Sequence, residues 1–199
     1  MSHSARIWPL LVAAAALPAA PAANAQLNPF SILGEVVTTA MDVRTRDEAK
    51  NDIAISTSAS KRLLDDPRAE WTSVTILIFA QHVVLAGAVK NDEARRIAQE
   101  VVNDDPRIRS FANELVVIRK KGDEGSFIDD KTIDTKINAS LTTTEGIASV
   151  NMRWKTVNGN VVLMGVARSR EEADFTIAKI REVEGVKRVK SRLRVVPKS

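Results

Sequence analysis

Few side chains here are of the types that carry covalent chemistry, and their spacing argues against it. Cysteine is absent, which excludes disulfides, thiolate metal sites and thiol nucleophiles. Of the two histidines, His3 falls in the N-terminal stretch read below as a secretory signal peptide and leaves with it. His82 has no second histidine or cysteine near it to complete a metal site, and reads as a surface or hairpin-end residue. Serines occur without a basic partner, so no nucleophile stands out. Glu93 and Glu171 fall in the first turns of expected helices, where a carboxylate favours the positive end of the helix dipole, so their role is structural. Gly87 and Gly165 have neither the further glycine nor the Lys-Ser/Thr that a phosphate-cradling loop requires. The chain is therefore read as non-catalytic, with no cofactor, no metal and no nucleic-acid partner.

The chemistry that remains is ionic. Between Val186 and Ser199 stand Lys187, Arg188, Lys190, Arg192, Arg194 and Lys198, with no acidic residue. Lys190, Arg192 and Arg194 alternate with Val189, Ser191, Leu193 and Val195, so the three cations share one face of a strand. Near an anionic membrane each is worth about 1 kcal/mol at most. The alternative is a solvated strand face opposed by helix carboxylates such as Glu171, Asp174 and Glu182.

The elements that position these residues occur twice. Ile53 to Val117 overlays Lys131 to Val195 without a gap at an offset of 78 (131 − 53), and Val83-Val84-Leu85-Ala86-Gly87 falls on Val161-Val162-Leu163-Met164-Gly165. Asp52 and Asp130, Ile55 and Ile133, Leu63 and Leu141, and Leu115 and Leu193 are also paired. Such self-similarity marks one folding unit used twice.

Within each copy the periodicities follow one order. Ile55, Ala59 and Leu63, matched by Ile133, Ile137 and Leu141, give a helix with one apolar stripe. Val74, Ile76 and Ile78, or Val150, Met152 and Trp154, alternate as a strand with one buried face. A second strand follows, through Asn158-Gly159 in copy two, a strong type I′ hairpin signal. Copy one has Ala80-Gln81 there, which predicts a looser turn or one of another type. Gly87 and Gly165 end the second strand's apolar run and suggest close backbone approach or a bulge.

A second helix then carries Ala94, Ile97, Ala98, Val101 and Val102, or Ala173, Ile177 and Ile180; its phase agrees less well, which predicts a one-residue slip. Gly185 suits the position after the helix in copy two. The last strand holds Phe111, Leu115 and Val117, or Val189, Leu193 and Val195. The fold class is α+β, two tandem units of helix, strand, strand, helix, strand. Each is a three-stranded mixed sheet with both helices on one face.

Upstream, residues 1–25 read as a secretory signal peptide, with Arg6, an apolar stretch and Ala23-Asn24-Ala25 before the cut. Residues 26–45 form a lead segment whose Phe30, Leu33, Val36, Val37, Ala40 and Met41 have helical spacing. The units span 46–119 and 127–197, joined by a linker at 120–126. From Gln26 to Arg119 there are 12 Lys+Arg against 14 Asp+Glu, and from Lys120 to Ser199 there are 16 against 11, so the second unit is the basic one.

With its duplicated Val-Val-Leu-x-Gly core, the chain resembles the BON-domain family. The second unit carries the closer match, through Asn158 to Gly165, Ser169-Arg170-Glu171-Glu172 and Gly185 to Val189. The layout is similar to dual-BON envelope proteins, which implies a periplasmic role in envelope integrity and osmotic stress. The implied partners are anionic phospholipid or the membrane surface, with other envelope proteins besides. With no cysteine for lipidation, the soluble kind is the nearer parallel. In a lipid-binding member the first helix of the second unit makes the contact and opens with an aromatic residue. The matching positions here are Thr132, Ile133, Lys136, Ile137, Asn138, Leu141 and Thr142, with Thr132 in the aromatic slot. The second functional expectation is a stress protein that holds other proteins through the apolar surface of Phe30 to Met41 or between the units.

Overall fold

The structure, a computed structural model, describes residues 42–69 and 74–196. The expected signal peptide and nearly all of the lead segment, including Phe30 to Met41, lie outside the described residues.

The first repeat begins with α1 (Arg46–Asp65), whose Thr45 and Glu48 form a reciprocal capping box. Strands β1 (Val74–Phe79) and β2 (His82–Val89) make an antiparallel hairpin, and α2 (Asp92–Asn103) crosses back over it. The third strand is broken into β3 (Ser110–Asn113) and β4 (Val116–Val117), both parallel to β2. The second repeat runs α3 (Phe127–Thr143), a 3₁₀ turn at Ser149–Asn151, β5 (Met152–Val157), β6 (Asn160–Ala167), α4 (Arg170–Arg181) and a continuous β7 (Arg188–Val195). Its sheet has the order β5-β6-β7, with β7 parallel to β6. In both repeats the helices cover one face of the sheet, as the alternation predicts, over cores built on Ile55, Leu63, Val83 and Leu85 and on Ile137, Leu141, Val161 and Leu163.

The registers match at the offset of 78. Val83 pairs with Phe111 and Val161 with Val189. The first-strand match needs correction: Met152 pairs with Gly165 as Val74 pairs with Gly87, so Met152 takes the place of Val74, and Val150 belongs to the 3₁₀ turn. There is no slip in the second helix either, since α4 starts and ends 78 residues after α2. Its apolar phase breaks because Glu172 and Thr176 fill the buried places of Ala94 and Ala98. Both are hydrogen-bonded, as buried polar groups must be. Glu172 accepts from the amides of Ala148 (2.7 Å) and Arg168 (2.7 Å), and the Thr176 hydroxyl donates to the Glu172 carbonyl (2.7 Å).

The Ala80-Gln81 turn also departs from expectation. Both residues have positive φ, 51° and 65°, matching Asn158 and Gly159 at 49° and 73°, so both hairpins use the same two-residue turn. For residues with a Cβ this conformation costs about 1–2 kcal/mol each. The offset is a buried aspartate one helix away. Asp52 accepts from the amides of Ala80 (2.9 Å) and Gln81 (2.6 Å), and Asp130 from those of Asn158 (2.8 Å) and Gly159 (2.9 Å). The aspartate pair seen at the offset of 78 is thus a clamp from the first helix onto the turn.

Gly165 is a close approach: at φ 130°, a Cβ placed there would lie 2.1 Å from the Asn151 carbonyl oxygen. The second faces of the two sheets pack on each other through Leu77, Phe79, Val84, Ala86, Met164 and Val166, giving four layers: helices, sheet, sheet, helices.

Candidate functional site

Two regions bring the chemistry-bearing residues together. The first is the seam between the sheets. Residues 190, 192 and 194 of β7 face the other repeat, and the opposing acid is Glu114, at the break between β3 and β4, in place of the helix carboxylates expected. Glu114 is partly buried, with its side chain 7% exposed. It receives Lys190 Nζ at 2.5 Å and Arg192 Nε at 2.8 Å. Burial alone would raise its pKa, but the hydrogen bonds and charges of Lys190 and Arg192 outweigh it and hold the carboxyl below the ordinary value. The break that supplies Glu114 is backbone-anchored, its amide donating to the Leu85 carbonyl (2.8 Å).

At the other edge, buried Phe79 is flanked by two guanidiniums, Arg44 at 4.6 Å and Arg153 at 5.5 Å from the ring centre. Arg44 joins Asp42 (2.7 Å) to Asp52 (3.0 Å), and the Val43 amide donates to Asn151 Oδ1 (3.1 Å). Residues 42–44 therefore tie the first repeat to the second. Arg153 donates to the carbonyls of Val150 and Met152, and burial with the neighbouring Arg44 lowers its pKa.

The second region is the first turn of α3. Of the positions matched to the lipid-contacting helix, Ile133, Ile137 and Leu141 are 6%, 0% and 0% exposed and fill the helix–sheet core. Thr132, Lys136, Asn138 and Thr142 face outwards. The Thr132 hydroxyl donates to the Ile128 carbonyl (2.9 Å), and Lys136 meets Glu184 at 2.7 Å. What the sequence pattern missed lies five residues before Thr132. Phe127 and Ile128 open the helix at 71% and 74% exposure, with Lys155 Nζ 6.0 Å from the Phe127 ring. Lys131, exposed, follows Phe127 at i+4, and Lys120 and Lys121 lie in the linker just before. The available signal was two large apolar residues outside the Ile133–Ile137–Leu141 stripe.

The linker is fixed against this end of the repeat. Asn158 Nδ2 donates to the Gly122 carbonyl (3.1 Å), Lys187 Nζ donates to Asn158 Oδ1 (2.7 Å), and a Cβ on Gly125 would stand 2.6 Å from the Asn158 Cα. Gly185 at φ 92° sits against the Ile133 side chain. Among the described residues no group of three or more His, Asp or Glu could hold a metal. No helix among them is long and apolar enough to cross a membrane.

The sheet, crossover and turn geometry recur in both repeats, and the BON domain matches residues 51–119 and again 129–197. The chain belongs to the BON-domain family. The chain is 30% identical over 145 residues to an uncharacterized protein in the gshII 5' region of Anaplasma centrale, covering 73% of this chain and 95% of that one. It is 25% identical over 145 residues to osmotically-inducible protein Y of Escherichia coli K12, covering 72% of each. Among solved structures, the C-terminal domain of CdsD, a structural protein of the type III secretion system of Chlamydia trachomatis, aligns at 16% identity with a TM-score of 0.30. That alignment covers 68% of this chain and 62% of that one.

Proposed function

We propose that this BON protein is a non-catalytic envelope-stress protein of the periplasm that associates with anionic phospholipid through its second repeat. The observation that carries this reading is the first turn of α3, where Phe127 and Ile128 stand exposed beside Lys155 and Lys131, with Lys120 and Lys121 just upstream. An aromatic and a β-branched side chain at the tip enter the acyl boundary while lysines meet lipid phosphates. Thr132, Lys136, Asn138 and Thr142 continue the outward face. Lys190, Arg192 and Arg194 contribute to the positive field of this repeat, although the first two also hold Glu114. The kinship with an osmotically inducible protein supports a stress role.

Co-sedimentation of the chain lacking residues 1–25 with phosphatidylglycerol and with phosphatidylcholine vesicles, at low and high salt, tests the reading. Binding to the anionic vesicles that weakens with salt is expected, because attraction between exposed charges is screened beyond about 10 Å at 0.1 M and beyond about 3 Å at 1 M. Equal binding to both lipids, or none, refutes it.

A further inference from the structure

Besides the Glu114 cluster, the seam has a second cationic corner, at Arg194, two residues beyond Arg192 on β7. His82 starts β2 and Ser110 starts β3, paired side by side in the parallel register. His82 Nδ1 lies 2.5 Å from the Ser110 Oγ, and its Nε2 meets the Arg194 guanidinium from the other repeat. A guanidinium can only donate, so a hydrogen bond between the two requires Nε2 as the acceptor and a neutral ring. Arg109, next to Ser110, completes the corner; its backbone amide donates to the Gln81 carbonyl (2.9 Å) and its side chain meets Glu48 of α1 at 2.5 Å.

The charged groups facing His82 are Arg194 from β7, Arg109 from the turn before β3, and Glu48 and Asp52 from α1. Both acids are already engaged, Glu48 by Arg109 and the Thr45 amide, Asp52 by two turn amides and Arg44. Among the described residues Arg194 forms an ion pair with no carboxylate, in contrast to Lys190 and Arg192 on the same strand face. An arginine held by an imidazole lone pair has a partner only while that imidazole is neutral. Once Nε2 carries a proton, two donors point into the same space, and an oxyanion is the group that satisfies both.

We propose that His82, Arg109, Arg194 and the Ser110 hydroxyl form a proton-coupled site for a phosphate-type oxyanion. Protonation turns Nε2 from acceptor to donor, and Arg194 swings from the ring onto the anion, where its fork suits bidentate contact. Binding therefore strengthens as pH falls. In the empty protein, burial and the charges of Arg194 and Arg109 hold the imidazole pKa below its ordinary value. A bound anion lifts it. The ligand is either the phosphate of a lipid head group or a free phosphate; the first source alone rests on the membrane reading above.

The test follows the His82 imidazole by NMR through a pH titration of the chain lacking residues 1–25, in which His82 is the sole histidine. Sulfate, a dianion throughout this range, is the first probe. It is expected to raise the His82 pKa by about one unit, equivalent to tenfold tighter binding to the protonated form. The rise should vanish in both Arg194→Gln and Arg109→Gln, with folding of each checked by circular dichroism. A pKa indifferent to sulfate, or a rise that persists in both variants, overturns the proposal. Inorganic phosphate and phosphatidylglycerol vesicles then identify the source: a rise with either supports the site and names its ligand. A Phe127→Ser variant should lose vesicle binding yet keep the sulfate response, so failure of the membrane reading and failure of this site give different results.

Discussion

Replacing Glu114 by glutamine keeps the shape of the side chain and removes the charge on which Lys190 and Arg192 converge. The carboxylate is 7% exposed while the two cations are 55% and 46% exposed, so the acid is the desolvated partner and the cations retain water. A hydrogen bond to a charged group is worth about 1.5–3 kcal/mol net, and partial exposure of the cations places this cluster toward the lower end. Glu114→Gln should therefore cost roughly 1.5–2 kcal/mol, with the melting temperature falling by about 2–4 °C for each kcal/mol in a domain of this size.

The pH dependence supplies the sharper check. The folded pKa of Glu114 is depressed, so its stabilisation is fully present above the unfolded value near 4.3 and is lost as pH falls through the lower folded value. Thermal melts of wild type and Glu114→Gln at pH 7, 5, 4 and 3 should show a gap that is constant from 7 to 5 and narrows below about 4. A gap that is absent at pH 7, or unchanged at pH 3, refutes the assignment of Glu114 as the charged lock between the repeats.

The hairpin clamps are tested by Asp52→Ala and Asp130→Ala in urea denaturation. Each should cost on the order of 3 kcal/mol, because two buried or partly buried backbone amides lose a carboxylate. Asp52→Ala should cost more, since Arg44 is released as well. Amide exchange should accelerate further at residues 80 and 81 than at 158 and 159, where Asn-Gly favours the turn unaided. Gly165→Ala forces a Cβ onto a backbone oxygen at 2.1 Å and should abolish soluble expression or lower the melting temperature by more than 10 °C. A near-neutral result would mean that β6 and the 3₁₀ turn are not held so closely.

The repeat arithmetic made the element order, strand pairing and helix coverage legible, because Val-Val-Leu-x-Gly anchors both registers. The turn at Ala80-Gln81 was not legible from the residues in the turn, since its positive φ is imposed by Asp52, 28 residues away. The phase of α4 misled because buried polar residues, satisfied by backbone groups of distant segments, stand in core positions. Sheet-on-sheet packing left a signal that alternation hides. Val-Thr-Ile-Leu-Ile-Phe and His-Val-Val-Leu-Ala-Gly-Ala-Val are almost continuously apolar, as strands covered on both faces are.

At the candidate site, the three cations of β7 were correctly placed on one strand face. Their partner was not legible, because nothing in residues 190–194 identifies Glu114, 78 positions before Arg192, as the acid that meets them. The exposure of Phe127 and Ile128 follows from the phase of α3, in which Ile133, Ile137 and Leu141 point inward and the first turn projects past the sheet.

The most direct test of the account compares the partitioning of wild type and a Phe127→Ser/Ile128→Ser variant onto phosphatidylglycerol vesicles at low salt. Burying these two side chains is worth about 1.5–3 kcal/mol each when complete, so even partial insertion predicts a loss of at least about tenfold in the partition coefficient. The variant should fold as wild type does, since both residues are exposed. Unchanged partitioning in a folded variant would contradict the assignment of this end of the second repeat as the membrane-contacting surface.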